Sequence, residues 1–142
     1  MISPPLQLRF LVGFALAVQG ATLFANDSVG SDSESERTRT QLSAQIERNI
    51  QAGTIAMASA SEQSKLLEDS ARAEFEAIAD VVRSAERRLR RSLRTLSTTS
   101  AANWQRSRFA LEVDYEAYAE AINQAERLIA TELANAEFAE SR

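Results

Sequence analysis

Between Thr54 and Arg142 the chain contains neither glycine nor proline. Those are the residues that most readily let or force a backbone out of a helix, so this stretch is expected to fold into long α-helices. Through the helical body, from about Gln41 onward, the apolar residues recur at alternating steps of three and four. One seam runs through Leu42, Ile46, Ile50, Gly53, Met57, Ala60, Ser64, Leu67, Ala71, Phe75, Ile78, Val82, Ala85, Leu89, Leu93 and Leu96. A spacing near 3.5 puts all of them on one helical stripe, as in a coiled coil. Around Leu67 to Ile78 the steps go four, four, three, which predicts a locally relaxed supercoil there.

Two places are expected to interrupt the helices. Ser97, Thr98, Thr99 and Ser100 are residues whose side chains compete for backbone hydrogen bonds, and no large apolar side chain falls among them. They predict a turn, after which the seam resumes at Trp104, Arg108, Leu111, Tyr115, Tyr118, Ile122, Ala125, Ile129, Leu133 and Ala136. The other place lies between Gly53 and Glu62. Gly53 and Thr54 are poor helix residues, and Ser59-Ala60-Ser61-Glu62 matches a capping box that would start a new helix near Glu62. One unbroken helix from about Gln41 to Leu96 is the competing expectation.

The fold class that follows is all-α, an elongated antiparallel helical hairpin or a three-helix bundle of coiled-coil character. In the hairpin, residues equidistant from the turn meet, which pairs Arg87 with Glu112 and Arg83 with Glu116. Ile55, Leu66, Val81, Phe109, Val113, Leu128 and Phe138 fall off the seam, so the apolar face is wider than two helices cover. Either the segment from Gln41 to Ala58 folds back as a third helix, or another chain covers that face.

Residues 1–25 read as a secretory signal peptide. Arg9 precedes an apolar run from Phe10 to Val18, and small residues follow at Gly20, Ala21 and Ala25. Nine apolar residues fall short of the roughly 20 that span a bilayer. The expected location is periplasmic or secreted, with an uncleaved inner-membrane anchor as the alternative. Residues 26–40 are short and polar and read as a flexible leader, and residues 41–142 as the helical domain.

The chain has no cysteine and no histidine. That removes disulfides, thiolate and imidazole metal sites, cysteine nucleophiles and the usual general base. With no phosphate loop or nucleophile elbow either, the sequence supports neither an enzyme nor a cofactor or metal. Loss of Arg9 would leave 15 of the 16 basic residues against 20 acidic ones, which argues against nucleic acid as a partner.

Two features remain as candidate sites. Phe109, Val113, Leu66 and Val81 lie off the seam and are expected to contact a protein partner or another copy of the chain. Arg83, Arg87, Arg90, Arg91 and Arg94 crowd one amphipathic stretch and suit an anionic membrane surface or an acidic partner, so a lipid-surface-binding or holdase-like periplasmic protein is the alternative to a structural or interaction component of the envelope. Ordinary charge placement near a helix C-terminus, with helix-three carboxylates beside it, explains the same arginines without a ligand. Trp104, Tyr115 and Tyr118 are on the seam and are expected in the core.

Overall fold

The computed structural model describes residues 32–142, with side chains described from residue 36. Three helices make up this part: α1 (Asp32–Ser64), α2 (Asp69–Thr98) and α3 (Trp104–Glu140), with a 3-10 turn at Ala101–Asn103 before the last. Among the described residues there is no strand, and the fold is an all-α bundle. The 1–25 signal reading and residues 26–31 of the leader lie outside the described residues.

Successive short connections make neighbouring helices antiparallel, so α1 and α3 run the same way. Asn49 meets Tyr115, Ile50 meets Tyr118, and Ala60 packs in one cluster with Ala125 and Ile129. The chain itself thus supplies a third helix, but it leaves the off-seam residues Ile55, Leu66, Val81, Phe109, Val113 and Phe138 exposed. Nearly the whole first seam is buried, with Met57 and Ile78 half-buried, and so is the second from Leu111 to Ile129. Burial of this kind, at roughly 25 cal/mol per Å², is the term that holds a bundle of this size together.

Four expectations need correction. Residues 32–40 are helical rather than a loose leader, and α1 begins nine residues before Gln41. Arg39 gives the physical reason. Its Nη1 donates to the carbonyl of Thr99 at 2.9 Å, and its guanidinium stands 5.1 Å above the Trp104 ring. A cation over an aromatic face contributes about 0.5–1 kcal/mol or more. Arg39→Ala should therefore lower stability by about 1–2 kcal/mol and shift Trp104 emission to longer wavelength, as measured by denaturant titration and fluorescence.

The second correction concerns Gly53 to Glu62, where α1 continues without a break. Ser59 is an interior residue whose Oγ accepts from Gln63, and Glu62 is held by Lys65 at 2.7 Å on the surface. The helix ends instead at Ser64. Lys65, Leu66 and Leu67 donate back to the carbonyls three residues earlier, and Glu68 is extended. Such tightening at a helix end needs no glycine. Leu67 plugs the turn, buried, and Arg72 holds its carbonyl at 2.9 Å.

The eleven-residue interval from Leu67 to Ile78 consequently is no relaxed supercoil: its first member lies in a connection between two helices. The last correction is to the ion pairs. Arg83 binds Asp80, and Arg87 donates to Ser84, so both stay on their own helix. The cross-helix contacts fall on Asp114, which takes Arg88 at 3.8 Å and the Ser92 hydroxyl.

The Ser97–Ser100 turn is where the side-chain chemistry places it. Ser97, Thr98 and Thr99 all donate to carbonyls of the α2 C-terminus, and Thr99 Oγ1 also meets Ser107 Oγ at 2.8 Å. These local bonds satisfy the last carbonyls and give the chain an alternative to further helix.

Candidate interaction surface

Inside the bundle the polar chemistry centres on two tyrosines of α3. Tyr115 Oη accepts from Asn49 Nδ2 at 2.8 Å, and Tyr118 Oη donates to the Ile50 carbonyl at 3.2 Å. Both phenols are buried, and burial pushes both above the ordinary tyrosine range. For Tyr115 the bond from Asn49 opposes that rise in part, while for Tyr118 the charge of Glu86 adds to it. Buried hydroxyls with partners specify one register of α1 on α3, and they are structural rather than reactive.

Gly53 belongs to the same contact. A Cβ at this position would lie 2.1 Å from Tyr118 Oη and 2.6 Å from Ile122 Cδ1. The glycine is there to let Tyr118 lie against the α1 backbone. In the sequence Gly53 reads only as a weak helix residue, because its partner, Tyr118, is a side chain far along the chain.

An open groove of about 260 Å³ lies between α1 and α2, floored by Tyr118 and lined by Gly53, Met57, Phe75 and Val82. Arg83 and Glu86 are at its edge, already bound to Asp80 and Arg90. Thr54 and Tyr118 both bond the Ile50 carbonyl. Of its polar lining, Thr54, Arg83 and Glu86 are already bonded within the chain and Ser61 is exposed at the surface, so the groove makes a poor small-molecule site. Among the described residues no three acidic side chains gather as a metal-binding group, and no helix is long and apolar enough to cross a membrane.

The outer surface is more informative. Phe109, Val113, Leu66 and Val81 are 67%, 48%, 73% and 52% exposed, so none is core. They do not form one cluster. Leu66 sits in the α1–α2 connection, at the opposite end of the bundle from Phe109 in the first turns of α3. Val81 and Val113 lie on the exposed side of the paired helices α2 and α3, with exposed Ala77, Ala110 and Ala117 on the same side. That face carries small side chains in the middle, with the charged Arg88 and Glu120 exposed among them.

The arginines divide into two groups. Arg83, Arg88 and Arg90 are bound to Asp80, Asp114 and Glu86. Arg87, Arg91 and Arg94 are exposed and have no carboxylate within ion-pair distance among the described residues. Val82, Leu89, Leu93 and Leu96, which would form the lipid-facing side of an amphipathic helix, are buried in the bundle. On α3 Glu120 is held by Arg127 at 2.7 Å and by Gln124, which together keep its carboxyl below the usual range.

Comparison with protein-family models, with curated proteins and with solved structures finds no match. The reading of this chain therefore rests on its own surface.

Proposed function

We propose that the protein is a non-enzymatic structural or interaction component of the bacterial envelope, and that it associates through the outer face of α2 and α3. The observation that carries this reading is the exposure of Val81 and Val113 among small residues on the face formed by the two most tightly paired helices. α1 already covers the other side of that pair, so a further chain is what remains to cover this one. The envelope assignment rests on the signal-like layout of residues 1–25.

A photo-crosslinking residue at Val81 or Val113 is expected to give a discrete protein adduct in the producing cell, and one at exposed Ile55 on α1 none. Adducts from all three positions alike, or from Ile55 alone, would refute the assignment.

A second reading, attachment to an anionic lipid surface, is favoured by the unneutralised Arg87, Arg91 and Arg94. Because the apolar side of α2 is buried, such attachment would be electrostatic and strongly salt-dependent. Flotation with phosphatidylglycerol vesicles tests it: binding at 20 mM salt that is lost at about 300 mM supports it, and no binding at low salt removes it.

A further inference from the structure

The charges of α2 are segregated along its length. Its exposed charges are Asp69, Glu74, Glu76 and Asp80 in the first half and Arg83, Arg87, Arg88, Arg90, Arg91 and Arg94 in the second, while the two exceptions, half-buried Arg72 and Glu86, are paired with Asp69 and Arg90 on the same helix. A helix with one acidic and one basic half is complementary to its own reversed copy. We propose that the protein forms a two-fold symmetric dimer in which α2 packs antiparallel on α2 of a second copy. This deepens the association reading above and rests on it.

The register follows from the exposed face. A two-fold axis passing beside Ser84 sets Asp80 against Arg87 of the second copy, and Glu76 against its Arg91. Asp80 is shared with Arg83 in the single chain, whereas Glu76, Arg87 and Arg91 have no ion partner among the described residues. The contact of Asp114 with both Arg88 and Ser92 fixes the height of α3 against α2. Carried across at that height, the same axis brings Val113 of one copy over half-buried Leu128 of the other. One axis thus serves the charged pairs and the Val113–Leu128 pair, and it also sets Glu120 beside Glu120 of the second copy, each neutralised by Arg127 of its own chain.

Near the axis the contact is built from Ser84 and Ala117, with Ala77 nearly two turns away, and these small side chains let two helical surfaces approach closely around Glu120. The α2–α3 face is about 45 Å long, from 30 residues at 1.5 Å rise, and about 20 Å wide at roughly 10 Å per helix. That offers about 900 Å² per copy, against about 800 Å² in a standard interface.

The test is a charge exchange on the full chain, read by light scattering across a concentration series. The unaltered protein should show twice the single-chain mass. Glu76→Arg with Asp80→Arg, and separately Arg87→Glu with Arg91→Glu, should each raise the dimer dissociation constant roughly 100-fold or more, since like charges then face each other. An equimolar mixture of the two variants should recover the dimer, because every altered rim then meets its opposite. All four positions are exposed, and unchanged circular dichroism confirms that the variants fold. Ser84→Cys supplies an independent readout in a chain without cysteine, and should close a disulfide between copies on mild oxidation while Ile55→Cys does not.

A monomer at every concentration overturns the dimer but leaves the crosslinking result at Val81 and Val113 free to support a different partner. A dimer indifferent to both charge reversals, or a mixture that fails to recover it, overturns this arrangement of the face.

Discussion

Gly53→Ala is expected to destabilise the protein by about 1–3 kcal/mol, the range for overpacking a well-packed contact. The sign is the informative part, because glycine to alanine in a helix interior ordinarily stabilises by about 0.5–1 kcal/mol. The added Cβ would meet Tyr118 Oη at 2.1 Å, so α1 must shift or Tyr118 must leave the Ile50 carbonyl. Tyr118→Phe in the Gly53→Ala background should recover part of the loss, since it removes the nearest of the clashing atoms. Ile122 Cδ1 at 2.6 Å and Tyr118 Cζ at 2.9 Å would keep the recovery incomplete. Denaturant melts of the four members of this double-mutant cycle measure the coupling directly. A Gly53→Ala protein as stable as the parent or more so would mean that α1 does not pack on α3 at this height.

The second large effect is alkaline unfolding. Burial holds the Tyr115 and Tyr118 phenols protonated above the ordinary value of 10.0. In the unfolded chain both would lose their protons near pH 10, so the unfolded state binds fewer protons than the folded one from there upward. Stability from these groups is therefore fully present below pH 10 and falls as pH rises towards the folded values. The slope is about 1.4 kcal/mol per pH unit for each phenol. These are the only tyrosines in the chain, so the rise in absorbance at 295 nm with pH reports them above the contribution of the single tryptophan. Both should ionise late and together with loss of helix, whereas a smooth titration centred near pH 10 with helix intact would contradict their placement.

The helical seam was legible because it depends on spacing alone. Leu42 to Leu96 and Leu111 to Ile129 are core in the structure for the reason their steps of three and four imply. The turn after Ser97 was legible as well, since hydroxyls next to backbone carbonyls act locally. What could not be read was whatever depends on a distant partner. Gly53 looks like a helix defect until Tyr118 is placed against it, and Arg39 looks like part of a polar leader until Trp104 lies beneath it.

The end of α1 was hidden for a different reason. Ser64, Leu67 and Ala71 continue the three-and-four pattern through the turn, so periodicity alone shows no break there. For the surface, lying off the seam goes with exposure at Val81, Val113 and Phe109 but not at Leu128, which packs half-buried against the core. It did not show that Leu66 belongs to a connection at the far end of the bundle. Nor did it show Asp114, whose contacts with Arg88 and Ser92 set the height of α3 on α2. An aspartate near Glu112 and Glu116 carries no signal of that role until the register is known.

The most direct test of the association surface uses cysteines placed one at a time at Val81, Val113 and Ile55, in a chain that has none of its own. Each is labelled with a maleimide in the producing cell and again in dilute purified protein, and rates are taken relative to Ile55→Cys. The account predicts that Val81→Cys and Val113→Cys label several-fold more slowly in the cell than in dilute solution, while Ile55→Cys changes little. Equal relative rates in the two settings would show that nothing covers the α2–α3 face and would contradict it.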